Sequence, residues 1–426
     1  MMEQFKRARF RGGTALHRGA VAALDIGASS VKCLVADYNS DGGKHSLMHV
    51  LGFGQAPTKG IKDGAIVDMT ALGDTIRMAL DQAEKVANKD VRHAYIGVSL
   101  RRVDNARISG AIALGGEMVT PAHIIASTQS AHAKFVSTKH DDIDLMHVIT
   151  IGYSLDDAHG IIDPSGMYGN VLQAHLYFIT TPSTPLRNLS KCVEDCNLEC
   201  LPPLLTPYVS ALATLSPEEK DLGVLHIDMG GDTTAVSLFC NGVPFLNTVL
   251  PIGGNQITSD IARTLNIALS SAERVKKVHG SALAHTSSIG GTRAEFQAKC
   301  ATGDTRNFSC HALSCIIRPL IEDIFTNIDN YLVQHQPYAA SIGRVVLTGG
   351  AAQLSGVPEV ARIILKRDTR LATPNHISGL PDIASHSDSA ACVGLLQHAQ
   401  NAARDVISAE DDQLISKVAH WLERYI

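Results

Sequence analysis

The 426-residue sequence is poor in aromatic residues, 5% in all with a single tryptophan, and it has no surplus of positive charge. Lys and Arg number 37 against 42 Asp and Glu, a formal net charge of −5 with neutral histidines. A whole-molecule basic field for nucleic acid is thereby excluded. Apolar runs are short as well, and none approaches the ~18 residues of a membrane-spanning helix. The nine cysteines, scattered from Cys33 to Cys392, are odd in number. That excludes a complete internal disulfide framework and makes a reducing, cytoplasmic compartment the simpler reading. Lys6, Arg7, Arg9, Arg11 and Arg18 crowd the start of the chain, yet no apolar segment follows them. No ordinary secretory signal is expected there, and residues 1–19 read as a flexible basic tail. Cys192, Cys196 and Cys200 are spaced like a metal comb, but a left-handed stop expected at Asn197 splits the face they would share. Buried structural thiols are the better account.

What is there is 45% hydrophobic residues in ordinary globular texture, enough at this length for two or three domains at about 150 residues each. The sharpest pattern occurs twice. Val21–Leu24 runs into Asp25-Ile26-Gly27-Ala28-Ser29-Ser30, and Val31–Val35 resumes the apolar pattern. About 200 residues later Val224–Ile227 runs into Asp228-Met229-Gly230-Gly231-Asp232-Thr233-Thr234, with Ala235–Phe239 beyond. Each reads as a hairpin with a tight turn, and the repeat implies a duplicated domain. Either turn can be no more than a turn. Equally, its consecutive N–H groups can cradle phosphate oxygens, and the Asp before it can hold Mg²⁺ through the ion's waters. A third element, the strand Arg344–Leu347 ending at Thr348-Gly349-Gly350-Ala351, lets backbone approach a ring or ribose closely.

Between these, Asp68 caps a helix with Leu72, Ile76, Leu80, Ala83 and Ala87 at helical spacing, and His93–Ser99 is a strand. Residues 100–172 change texture, becoming polar and histidine-rich, and form a candidate inserted subdomain. Pro182–Cys196, Thr258–Leu269, Ser271–Val278 and Ser314–Val333 are helical by pattern.

At these residues the chain resembles the actin-like ATPase superfamily, and within it the FtsA family of bacterial cell division proteins, over nearly its whole length from about Val21. Asp25–Lys32 is similar to the first phosphate loop, Asp228–Thr234 to the second and Arg344–Leu354 to the adenosine motif. Gly60-Ile61-Lys62-Asp63-Gly64 through Asp68, and Ile252-Gly253-Gly254-Asn255 through Ile261, add specificity. The resemblance implies an α/β, actin-like ATPase fold: two related α/β domains around a nucleotide cleft, with an FtsA-type inserted subdomain. The first core would cover 20–99 and 173–220, the insertion 100–172, and the second domain 221–400 with an outer subdomain at about 261–330.

The same resemblance implies ATP and Mg²⁺ as ligands. Asp25, Gly27, Ala28, Ser29 and Ser30 would face Asp228, Gly230, Gly231, Thr233 and Thr234 across the phosphates. Gly253, Glu273, Lys276, Gly349, Gly350 and Ala351 would surround the nucleoside, and Asp25 and Asp228 would hold Mg²⁺ through water. The implied function is to tether FtsZ polymers to the cytoplasmic face of the inner membrane at the division septum. Self-polymerisation and recruitment of later divisome proteins are implied as well, with the FtsZ tail on the outer subdomain.

Two departures from the superfamily pattern matter. Asp232 stands where a third glycine is usual and sets a carboxylate beside the phosphate position; Ala235 replaces an acidic residue. Thr206, before Pro207, stands where related filament proteins place a water-orienting glutamate, and it cannot act as a carboxylate base. Weak or absent ATPase activity is therefore expected, with ATP as a conformational and polymerisation ligand. Rival readings are an ATP-hydrolysing enzyme of the same fold and a pilus-type actin-like adaptor.

Residues 401–412 read as a linker to an amphipathic helix at 413–426. There Leu414, Ile415, Val418, Trp421, Leu422, Tyr425 and Ile426 form one apolar stripe. Such a helix either docks on its own domain or lies in the headgroup plane as a membrane anchor. The resemblance favours the anchor.

Overall fold

The computed structural model describes residues 19–38, 48–138, 142–283, 295–300, 303–335 and 342–411. In chain order the first lobe begins with β1 (Val21–Ile26), β2 (Ser30–Tyr38) and β3 (Met48–Pro57), then a small ribbon of β4 (Ile61–Lys62) and β5 (Ala65–Ile66). Helix α1 (Met69–Ala87) and β6 (His93–Val98) follow. Asp68 caps α1 by accepting from the Ala71 N–H, and Asn88 ends it at φ 49°. The buried face of α1, with Leu72, Ile76, Ala79, Leu80 and Ala83, lies over the sheet. Removing each of its three large aliphatic side chains from water contributes about 1.5–3 kcal/mol.

The insertion is β7 (Asp104–Ala113), α2 (Pro121–Thr138), β8 (Ile143–Leu155), β9 (Ala158–Ile161) and β10 (Val171–Pro182). Its four strands run in the order β7-β10-β8-β9. β10 pairs with β7 and β8 as far as Pro182, which partners Ile143. The insertion therefore reaches about ten residues beyond the boundary expected at 172, because its central strand needs both neighbours to satisfy its backbone. The chain returns through α3 (Ser183–Glu194), β11 (Glu199–Cys200), β12 (Leu204–Leu205), α4 (Thr206–Thr214) and α5 (Pro217–Leu222).

The second lobe repeats the plan: β13 (Val224–Met229), β14 (Thr234–Cys240), β15 (Val243–Leu250), α6 (Gly254–Leu265) and α7 (Leu269–His279). The ribbon β16 (Glu295–Lys299) and β17 (Thr305–Ser309) leads into α8 (Cys310–Gln334). Then come β18 (Arg344–Thr348), α9 (Val357–Leu365), β19 (Asp368–Leu371) and α10 (Ala390–Asp411). The two main sheets have the same order, β3-β2-β1-β6-β11 and β15-β14-β13-β18-β19, antiparallel within each meander and parallel beyond it. The duplication read from the two hairpins extends through five strands.

Both faces of each sheet are covered, as parallel pairing requires. In the first lobe, Ala22 and Leu24 pack towards α1 and α3, and Val21 and Ala23 pack towards Val209 of α4 and Leu395 and Leu396 of α10. The second domain therefore does not extend to residue 400. From about Ile377 the chain crosses back, because the first sheet needs the small apolar face of α10 to cover it. The linker expected over 401–412 is helical through Asp411, consistent with a stretch that has alanines and no Gly or Pro. All but the last residue of the basic tail expected over 1–19, and the whole of the anchor expected at 413–426, lie outside the described residues. Among the described residues no helix is long and apolar enough to cross a membrane.

The insertion also touches the second lobe. Asn105 Nδ2 donates to the Asn247 carbonyl at 2.7 Å and Arg107 to the Phe245 carbonyl at 2.5 Å. The side chains of β7 thus cap carbonyls of β15, the edge strand of the second sheet, which would otherwise stand open.

Candidate functional site

Between the lobes lies a cavity of about 1300 Å³, lined by both hairpin turns, the end of β18 and the facing sides of α6 and α7. Asp25 and Asp228 hold equivalent places at the C-terminal ends of β1 and β13. Asp25 pairs with Lys32 on β2 and Gly97 on β6; Asp228 pairs with Ala235 on β14 and Thr348 on β18. The turns close alike, Gly27 N–H to Ser30 carbonyl at 3.2 Å and Gly230 N–H to Thr233 carbonyl at 2.8 Å. The start of α6 pins the second turn: Gly254 and Asn255 N–H groups donate to the Gly230 and Gly231 carbonyls at 3.0 and 2.7 Å. A Cβ on Gly253 would lie 2.4 Å from the Gly231 carbonyl oxygen, so this close approach demands glycine.

Asp25 sits deep in the cleft, where desolvation pushes its carboxyl up to about 7 against the opposing pull of Lys32, with Asp228 and Asp388 adding repulsion. Burial likewise raises Asp228 to about 6, although a hydrogen bond from Ser210 and the charge of Lys32 resist it. Lys32 is only 3% exposed; its ammonium lies 2.6 Å from Asp388 Oδ2 and donates to the Ser389 hydroxyl. Thr206 Oγ1 and Asp388 Oδ1 are buried without a protein partner. Two repelling carboxylates and unpartnered oxygens lining one cavity are the donor set that suits a hydrated Mg²⁺, which keeps its waters and takes few protein ligands.

On the opposite wall, Lys276 donates to the Gly254 carbonyl at 2.9 Å and to Thr258 at 2.8 Å, and pairs with Glu273 at 2.6 Å. Burial raises the Glu273 carboxyl, but hydrogen bonds from Lys276 and Thr258 outweigh it and hold the group low. Gly349, at φ 89°, brings the strand end against Asp228, and its N–H donates to the Ser387 carbonyl.

A family model described as "Cell division protein FtsA" matches residues 225–394, and one described as "SHS2 domain inserted in FTSA" matches residues 101–180. The cell division protein FtsA of Rhizobium meliloti (strain 1021) is 34% identical over 393 residues, 90% of this chain and 87% of that protein. The chain belongs to the FtsA family. The FtsA of Escherichia coli (strain K12) is 28% identical over 96% of this chain and 97% of its own length. The fold is that of the actin-like ATPases. A PilM–PilN type IV pilus biogenesis complex matches 89% of this chain and 98% of its own with a TM-score of 0.62 at 17% identity. MreB5 of Spiroplasma citri, solved bound to ADP, matches 92% and 99% with a TM-score of 0.56 at 14% identity.

Of the residues read from the FtsA motifs, Asp25, Gly27, Ala28, Ser29, Ser30, Asp228, Gly230, Gly231, Thr233, Glu273, Lys276, Gly349, Gly350 and Ala351 all line the one cavity. Thr234 does not; its hydroxyl is turned to the Ile252 carbonyl at 2.8 Å. Gly253 acts behind the lining, against the second loop. Lys32 was legible as the end of the first loop, whereas its partner Asp388 stands in a polar stretch with no motif. The residues expected to meet the membrane, Leu414–Ile426, lie outside the described residues. Cys192, Cys196 and Cys200 donate to the carbonyls of Met69, Gly73 and Ser190. No metal-holding group of three or more His, Cys, Asp or Glu occurs among the described residues.

Proposed function

We propose that this FtsA-family chain binds ATP with Mg²⁺ in the interlobe cleft and uses it to set its conformation and self-assembly, with slow or absent turnover. The observation that carries the reading is the convergence of two equivalent Asp-turn hairpins, one from each lobe, on a single cavity. The N–H groups of Ala28–Ser30 and Gly231–Thr233 would meet phosphate oxygens, Asp25 and Asp228 would hold the hydrated ion, and Gly349–Ala351 with Glu273 and Lys276 would face the nucleoside. Bound Mg²⁺ would neutralise phosphate charge. The chain's own residues would bind, orient and exclude water.

Membership of the FtsA family supports a wider proposed role: linking FtsZ polymers to the cytoplasmic side of the inner membrane at the septum, polymerising, and recruiting later divisome proteins. The surface formed by α7, β16, β17 and α8 is the proposed FtsZ-tail platform, and the stripe from Leu414 to Ile426 the proposed lipid contact. Pelleting of FtsZ with liposomes only when this protein and Mg-ATP are present is the expected result. Calorimetry with Mg-ATP should show weaker binding for Asp228→Ala; equal affinity would remove the cleft assignment.

A further inference from the structure

The residue that departs from the phosphate-loop pattern is tied across the cleft. Asp232 Oδ2 accepts the Gly64 N–H at 2.9 Å, and its Oδ1 accepts from Asn255 Nδ2 at 2.7 Å. Asn255 Oδ1 in turn accepts from the Ser29 hydroxyl at 3.1 Å. Gly64 and Ser29 belong to the first lobe, Asp232 and Asn255 to the second, so the chain of bonds bridges the gap at two points. The loops themselves touch here: a Cβ on Gly231 would lie 2.2 Å from Ser29 Oγ and 3.2 Å from Ser29 N. Both carboxylate oxygens of Asp232 are satisfied inside this network, and a carboxylate is the strongest acceptor a side chain can offer a backbone N–H. The charge that looks hostile to phosphate in the sequence is thus spent on joining the lobes.

We propose that Asp232 is a positioning residue that clasps the two lobes at the phosphate end of the cleft and so limits the rate at which a bound nucleoside triphosphate leaves. The release rate rests on the nucleotide reading above; the clasp itself does not. Asp232→Gly removes both acceptors. Asp232→Asn keeps the chain of bonds, because its Oδ1 can still accept from Gly64 while a flipped Asn255 amide accepts from the new NH₂ and donates to Ser29.

The two parts are tested separately in the full chain. Nitroxides on the exposed native Cys315 of α8 and on Val86→Cys of α1, which is 67% exposed, report the lobe separation without nucleotide. Asp232→Gly should lengthen or broaden that distance and Asp232→Asn should not. Chase of a fluorescent ATP analogue with Mg²⁺ should show release about tenfold faster in Asp232→Gly, the scale of one charged hydrogen bond, with association within about twofold and Asp232→Asn within about threefold. Slower release in Asp232→Gly, the result expected if the carboxylate merely repels phosphate, overturns the clasp, as does an unchanged lobe distance. If the labels respond but the wild type binds no analogue, the clasp stands and the nucleotide reading falls.

Discussion

Lys32 and Asp388, 356 residues apart in the chain, meet across the cleft floor, the ammonium bonded both to the Asp388 backbone carbonyl and, at 2.6 Å, to its carboxylate. The first Asp-turn hairpin is therefore completed by the segment that returns from the second lobe. Asp388→Ala would leave the buried ammonium with only the backbone carbonyl and Ser389. A loss of about 1–3 kcal/mol in chemical denaturation is expected, below that of a fully buried pair because the Asp388 side chain is 36% exposed. Asp388→Asn should lose less.

Gly253→Ala should damage the second loop far more than Gly254→Ala. The first Cβ would meet backbone oxygens at 2.4 and 2.7 Å, which cannot move without moving the turn. The second comes no nearer than 3.2 Å to anything, the nearest atom being Ala351 Cβ, with Lys276 Nζ and the Gly230 carbonyl oxygen at ordinary contact distances of 3.5 and 3.6 Å. Calorimetry with Mg-ATP should show at least a tenfold loss of affinity for Gly253→Ala and a small change for Gly254→Ala.

Thr206 lines the cleft with a buried hydroxyl that has no protein partner. If it does no base chemistry, the isosteric Thr206→Val leaves any phosphate release unchanged and raises stability by up to about 1 kcal/mol, by removing an unsatisfied polar group. A drop in turnover with Thr206→Val would assign the hydroxyl a role with water.

His147 is fully buried, accepts the Leu205 N–H at 3.0 Å on Nε2, and has its pKa lowered to about 3 by burial, with His398 adding to the effect. Its folded pKa lies below the unfolded value near 6.5, so the unfolded chain binds the extra proton. The contribution is fully present above about pH 6.5 and is lost as pH falls towards 3. His147→Gln, which keeps an acceptor for Leu205, should flatten the fall in unfolding free energy between pH 6 and 4.5 by about 1.4 kcal/mol per pH unit.

Trp421 is the single tryptophan, so its emission reports the terminal stripe alone. Addition of anionic or neutral vesicles should shift it blue, and Trp421→Glu should cut liposome pelleting by removing about 1.5–3 kcal/mol of burial and adding a desolvation cost. A chain ending at Asp412 that pellets undiminished would move the anchor elsewhere, with the basic segment Lys6–Arg11 as the next candidate and salt as its test.

What the sequence settled by itself was local. Asp25 and Asp228 with their small-residue turns, the Asp68 cap and the paired glycines after β18 each announce themselves within ten residues, because turn and cap chemistry depends on near neighbours. The same locality gave the FtsA motifs, and with them the fold. The tertiary structure decided what depends on partners hundreds of residues away. It extended the insertion to Pro182, since only its neighbours β7 and β8 hold that strand. It folded α10 back on the first lobe, since an open sheet face had to be covered by some apolar surface and periodicity does not say which. And it turned Asp232 from an apparent obstacle to phosphate into an acceptor for Gly64, because a carboxylate's effect is set by the donors around it, and those came from the other lobe.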